Sequence, residues 1–290
     1  MGYFHGYKGY RYIKEPFNEL NFRDFDEIIA INAFDCQVKT LFYPHLMFLE
    51  TALKSRTLEV CINSCSENFA EIYDKILDDH RRFAPSDKEY KKAFKRRLDL
   101  RNEIFSTISR CYQSDLKMVQ HYHHKNEPVP IWAIFEIISL GQFGVFLQTM
   151  NNPSRLKLSE DIGLLDTSID SDGHLLHELV FFMKGLRNAV AHNSVVFDCR
   201  FMKDNPPARI KRFMHKETSL ANVTFEYIDD YLALITVLLM KLGVAKTERK
   251  KLIRQFGEIV DALHSQIPIS MFNRILGTST RNKLQTIFNL

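Results

Sequence analysis

Three features of the chain predict an all-α fold. Glycine and proline are scarce, 11 and 9 of 290 residues, so few positions interrupt a helix. Phenylalanine is abundant at 23 residues, which supplies bulky side chains for a helical core. Apolar residues recur at helical spacing through most of the chain. With 45% hydrophobic and 26% charged residues, the composition is that of a folded protein and not of a disordered one. A chain of this length suffices for one large or two modest domains.

Residues 1–21 are aromatic and punctuated by glycine, and read as an arm laid on the surface of a single helical domain spanning 22–290. The stretch FRDFDEIIAIN places Phe22, Phe25, Ile28, Ile29 and Ile31 near one helix face. The strongly apolar FDCQVKTLFYPHLMFLETALKSRTLEVCI follows, where Pro44 is either a kink or a new helix start. Inside it Glu50 and Lys54 form an i,i+4 pair in the favourable order. A third helix is expected over 67–79. After a proline and a Ser or Asp cap in APSDKEY, a long helical segment runs from 88 to about 125.

Residues 131–150 are almost wholly apolar, broken by Glu136, Gly141 and Gln142, and read as a central core helix. A lone glutamate there is costly unless it has a partner or faces a wet cleft. Residues 151–172 read as loop with one short turn or helix, followed by a helix over 172–192. The basic DNPPARIKRFMHK reads as a connection, and helices are expected over 218–242 and 246–264. The segments IPISMFNRILG and TRNKLQTIFNL finish the chain, the second as a helix. No internal repeat, linker or second-domain boundary is visible.

The net charge is a mild +4, so local clustering matters more than the sum. The densest basic run carries Lys88, Lys91, Lys92, Lys95, Arg96, Arg97 and Arg101. It is either a solvated helix face or a phosphate-contacting surface. Five cysteines without framework spacing read as buried, reduced thiols of a cytoplasmic protein. No signal-peptide pattern opens the chain, and no uncharged run approaches the roughly 18 residues a membrane span needs. His121, His123 and His124 lack a matching carboxylate or cysteine set, so neither a metal nor a cofactor is expected. His174 and His177 read as surface or interface residues.

The stretch FFMKGLRNAVAHNSVVFD sets Arg187, Asn188 and His192 at the end of an apolar helix. One reading is helix capping and dipole compensation, with Asn193 as the left-handed residue after the helix. The other is catalytic. Histidine can move the proton of a ribose 2′-OH near neutral pH, and arginine stabilises the negative charge of a phosphorane-like transition state. Asparagine can orient the histidine or hold a phosphate oxygen. Five residues separate Arg187 from His192, roughly 140° on an ideal helix. The pair converges only if the arginine reaches round, the helix end distorts, or a second copy of the chain supplies one member.

ELVFFMKGLRNAVAHNSVVFD resembles the signature helix of the HEPN superfamily, whose R-x(4–6)-H motif often marks metal-independent ribonucleases. The blocks AFDCQVKTLFYPHLMFLETALKSR and PVPIWAIFEIISLGQFGVFLQ are similar to those of the Abi-like (AbiD/AbiF) abortive-infection family. Asp35, Glu50, Glu136, Ser139 and Gly141 carry that likeness.

The resemblance implies a HEPN-type helical bundle with additional N-terminal and C-terminal helices. It implies an endoribonuclease of anti-phage or toxin–antitoxin type that leaves 2′,3′-cyclic phosphate ends. HEPN proteins also include non-cleaving RNA-binding and partner-docking modules. By the resemblance Arg187 and His192 are the catalytic pair, Asn188 is their support, and Glu136 and Glu50 are supporting polar residues. Lys91, Lys92, Lys95, Arg96, Arg97 and Arg101 are the candidate RNA contacts. The implied partners are RNA, a second copy of the chain completing a composite site, and an RNA or protein antitoxin.

Overall fold

A computed structural model describes residues 7–114 and 116–290, and its fold class is all-α. Among these residues the only β feature is one isolated bridge, Tyr12 to Glu19. The helices are α1 (Phe25–Ser64), α2 (Phe69–Lys75), α3 (Lys88–Gln113), α4 (Lys117–His124), α5 (Ile131–Ile137), α6 (Leu140–Thr149) and α7 (Asn152–Asp161). They continue with α8 (Leu175–Ala191), α9 (Ala208–Thr218), α10 (Ile228–Lys241), α11 (Lys246–Gln266), α12 (Ile269–Leu276) and α13 (Thr280–Phe288). Among the described residues no helix is long and apolar enough to cross a membrane.

Several boundaries differ from the sequence expectation, each for a local reason. Pro44 neither kinks out nor restarts a helix: α1 runs through it for 40 residues. The buried stripe Ile31, Phe34, Val38, Phe42, Leu46, Leu49 and Leu53 keeps its three-to-four spacing across the proline. Packing along that stripe outweighs one lost backbone hydrogen bond.

The apolar run 131–150 is two helices, not one. Ile138 is extended, and Ser139 caps α6 by accepting from the Gln142 amide at 3.2 Å. The Gln142 side chain accepts from the Ser139 N–H at 2.9 Å, completing a capping box that a hydrophobicity pattern conceals. The expected connection at 204–216 contains α9, which begins directly after Pro206 and Pro207.

Packing divides the chain into two compact units, residues 1–49 with 182–290, and residues 50–181. The first unit is centred on α10, in which every residue from Ile228 to Leu239 is buried. Phe182, Phe201 and Phe225 surround Tyr231 with ring centroids 5.4, 5.0 and 5.1 Å away. The acidic first turn of α10 is neutralised from α13, where Lys283 Nζ lies 3.0 Å from Asp229 and 2.6 Å from Asp230. Residues 7–21 are more than a surface arm, since Tyr10 and Leu20 are buried in this unit; residues 1–6 of that segment lie outside the described residues.

In the second unit α3 packs on α4, α5 and α6. Gln142 of α6 donates to Thr107 Oγ1 of α3 at 2.9 Å. Gly144 admits the ring of Phe181 so closely that a Cβ there would sit 2.9 Å from it. Asn151 caps α7 through Ser154 and donates to Asp78 Oδ1, each at 2.9–3.0 Å. The buried Arg155 donates to Asp79 Oδ1 at 2.8 Å, to the Asp172 carbonyl at 3.1 Å, and to the Met150 carbonyl.

Candidate functional site

The apolar stripe of α8, from Leu175 through Leu179, Met183 and Leu186 to Val190, is buried. That leaves Arg187 and Asn188 half-buried beside the stripe, and His192 exposed just past the last helical residue. Arg187 Nη1 donates to Asn188 Oδ1 at 3.2 Å, so two of the three motif side chains are joined.

The helix ends in a Schellman motif. The Ser194 N–H donates to the Ala189 carbonyl at 2.8 Å and the Asn193 N–H to the Val190 carbonyl at 3.3 Å. Asn193 takes a left-handed conformation, φ 54°, as its position after the helix predicts. The His192 N–H still donates to the Asn188 carbonyl at 2.9 Å, which ties the backbone of the histidine to that of the asparagine.

A buried polar cluster holds this helix end, and its centre is Asp35 of α1, which is fully buried. Its Oδ1 accepts from the N–H groups of Val196 and Phe197, both at 2.7 Å. Its Oδ2 accepts from the Tyr10 hydroxyl at 2.8 Å and pairs with Lys39 Nζ at 2.9 Å. Lys39 in turn donates to Asn193 Oδ1 at 2.6 Å. Burial, and next the charge of Asp35, push the Tyr10 hydroxyl up in pKa, so it stays a proton donor to the carboxylate.

Four donors thus satisfy one buried carboxylate, and through Lys39 they fix the residue that follows His192. The role of Lys39 was missed in reading the sequence. The signal was present: an acid and a base at i and i+4 on the buried face of an apolar helix.

The remaining predicted residues fall in the second unit. Glu50 pairs with Lys54 at 3.1 Å, and Lys54 also donates to the Ile138 carbonyl at 2.9 Å, closing the C-terminus of α5. Glu136 is exposed, which removes the burial cost the sequence suggested.

The basic run of α3 does not present a uniform face. Lys91, Lys92 and Lys95 are exposed, with Lys92 near Glu89 at 3.8 Å and Lys95 on Asp99 at 2.5 Å. Arg97 is turned inward: it lies 3.7 Å over the Tyr73 ring and donates to the Tyr73 carbonyl at 2.6 Å and to Asp74 at 3.1 Å. Arg101 stands over the same ring at 5.2 Å, and Arg96 is half-buried. His174 and His177, read as surface or interface residues, are not on the surface: each is only 8% exposed, with their Nδ1 atoms 3.2 Å apart.

An exposed imidazole can donate or accept a proton, and a guanidinium joined to an amide can hold a phosphate oxygen; within one chain only the second pair is brought together. Neither a curated protein nor a solved structure matches the chain. The family described as Abi-like protein matches residues 1–198, which include Asp35, Lys39, both glutamates, the basic run and the whole of the Arg187–His192 motif. With about two thirds of its length so matched, the chain belongs to the Abi-like family.

Proposed function

We propose that the protein is a metal-independent endoribonuclease of HEPN type, acting in abortive-infection defence. The observation that carries this reading is the helix end itself. Arg187 and Asn188 are joined side chain to side chain, His192 stands exposed one turn on, and a buried Asp35–Lys39–Asn193 relay fixes the backbone there. Membership of the Abi-like family supports the defence role.

In the reaction, His192 takes the proton of a ribose 2′-OH as its oxygen attacks the adjacent phosphorus. The P–O bond to the 5′-oxygen breaks, that oxygen receives a proton, and a 2′,3′-cyclic phosphate remains. Arg187, fixed in charge and held by Asn188, stabilises the extra negative charge on the phosphorane oxygens. One imidazole cannot be both the base and the acid of a single concerted step. A second copy of the chain in a homodimer supplies the other histidine, which also answers the 140° separation of Arg187 and His192 on an ideal helix.

The test is cleavage of a labelled RNA in EDTA by the wild-type protein and by His192→Ala and Arg187→Ala, with melting curves for all three. Activity lost in both variants with unchanged melting supports the proposal; cleavage that persists in both contradicts it. The exposed Lys91, Lys92 and Lys95 favour a second reading, a non-catalytic RNA-binding defence protein. Salt-sensitive RNA binding without strand scission would favour that one.

A further inference from the structure

The second unit contains a recess of about 210 Å³ whose lining includes Arg82, Glu89, Arg96, Gln148, His174 and His177. Four separate elements contribute: the 3₁₀ turn Asp79–Arg82, the first half of α3, the end of α6, and the start of α8. Its charge is predominantly positive. Arg96 has no carboxylate partner among the described residues. Arg82 stands 3.3 Å from Asp79, whose other oxygen already accepts from Arg155. The one acidic side chain of the lining, Glu89, is exposed and lies 3.8 Å from Lys92.

His174 is the unexplained member. It is more than nine-tenths buried, yet its Nε2 has no hydrogen-bond partner, the nearest carboxylate oxygen being Asp172 Oδ2 at 3.9 Å. Leaving a buried ring nitrogen unmatched costs free energy unless a ligand or water completes it. With Nδ1 facing His177 Nδ1 at 3.2 Å, one of the two nitrogens carries the proton and the other accepts. When His177 donates, the Nε2 of His174 bears its hydrogen and is a donor without an acceptor. Two guanidiniums, an amide and an imidazole N–H are the donor set of an oxyanion site.

We infer that this recess binds a phosphate monoester, the two guanidiniums matching the two charges of the dianion and His174 Nε2 donating to a phosphate oxygen. The site shares no residue with the Arg187–His192 motif, so it stands or falls separately from the ribonuclease reading. The phosphate can belong to a mononucleotide or to the 5′ end of an RNA; the recognition chemistry is the same. Burial, and next the charge of Arg155, lower the pKa of the free His174 to about 4. A bound dianion opposes those effects. The groups facing the imidazole are Arg82, Arg96, Arg155, Asp79, Asp172, Glu89 and His177.

The test is calorimetric titration of the full chain with inorganic phosphate, adenosine 5′-monophosphate and adenosine. Two short RNAs differing only in a 5′-phosphate or 5′-hydroxyl are titrated into the His192→Ala protein, so that cleavage does not intervene. The expected result is binding by phosphate-bearing ligands and not by adenosine, weakened at least about 10-fold in Arg96→Gln, the loss of one charge-assisted contact. It should be unchanged in Lys157→Gln, an exposed position on α7 outside the recess. Folding of Arg96→Gln is checked by melting, and His174→Gln should show the same weakening. Preference for the 5′-phosphorylated RNA over the mononucleotide assigns the site to an RNA end, and the reverse assigns it to a small nucleotide. No binding by any phosphate-bearing ligand at millimolar concentration, or binding indifferent to Arg96→Gln, overturns the proposal.

Discussion

The two ends of α8 treat histidine in opposite ways. At the N-terminal end His174 and His177 are buried, in contact with each other, and near the buried Arg155. At the C-terminal end His192 is exposed, just past the helical turn on which Arg187 and Asn188 hold each other. The first environment lowers the pKa of His174, because burial first and the charge of Arg155 next penalise the proton. The second leaves the imidazole open to solvent, as the proposed reaction requires. Sequence spacing alone makes both look like polar intrusions in an apolar helix; burial and partners separate a solvent-open imidazole from an enclosed one.

The sharpest way to break this contrast is to alter the exposed end. Arg187→Lys keeps the charge but loses the planar fork and its bond to Asn188. Initial rates of RNA cleavage should fall by about 10²–10³-fold with little change in melting temperature. A lysine variant at wild-type rate would mean that only charge is needed there.

A second test removes the support beneath that end. Lys39→Met leaves the Asp35 carboxylate buried without its cation, and unfolding by denaturant should show a loss of about 3–5 kcal/mol. If Lys39→Met is neutral, the cluster does not hold the helix end in the way described.

The buried end is probed by pH. His174 has its folded-state pKa lowered to about 4 from 6.5, so between those values the unfolded chain binds a proton that the folded chain refuses. Stability therefore falls as pH drops from 6.5 toward 4, and falls no further from this group below that. Burial, and next the charge of Arg97, lower His80 in the same direction. His174→Gln should flatten the acid limb of a plot of unfolding free energy against pH, and an unchanged limb would contradict the burial of that imidazole.

The smallest effect is expected at Asn193. Asn193→Gly and Asn193→Ala both remove the acceptor of Lys39. Glycine takes the left-handed turn without the steric cost of a Cβ, so the alanine variant should be the less stable of the two by about 1–2 kcal/mol. Equal stability of the two variants would show that residue 193 does not hold a left-handed conformation.

Much of the fold was legible in the sequence because helical periodicity and scarce breakers act locally. The motif helix, α11 and α13 lie close to where periodicity puts them. The Abi-like blocks were legible as patterns, and Asn193 as a left-handed residue followed from the helix stop beside it. What was hidden depends on contacts far apart in sequence. Asp35 meets Val196 and Phe197 across more than 160 residues, and Tyr10 enters the core from a segment that reads as a surface arm. Ser139 interrupts an apolar run by capping, which a hydrophobic pattern cannot register. Pro44 fails to break α1 because the buried stripe on both sides of it is continuous. Arg97 reads as part of a basic face, and only the position of the Tyr73 ring shows that it points inward.

If His192 transfers the proton in RNA backbone cleavage, as proposed, the new RNA ends carry the signature of that reaction. RNA incubated with the wild-type protein in EDTA should yield fragments carrying 2′,3′-cyclic phosphate and 5′-hydroxyl ends, at a rate reduced about 10²–10⁴-fold in His192→Ala. Fragments with 3′-hydroxyl ends, or cleavage of undiminished rate in His192→Ala, would contradict the account.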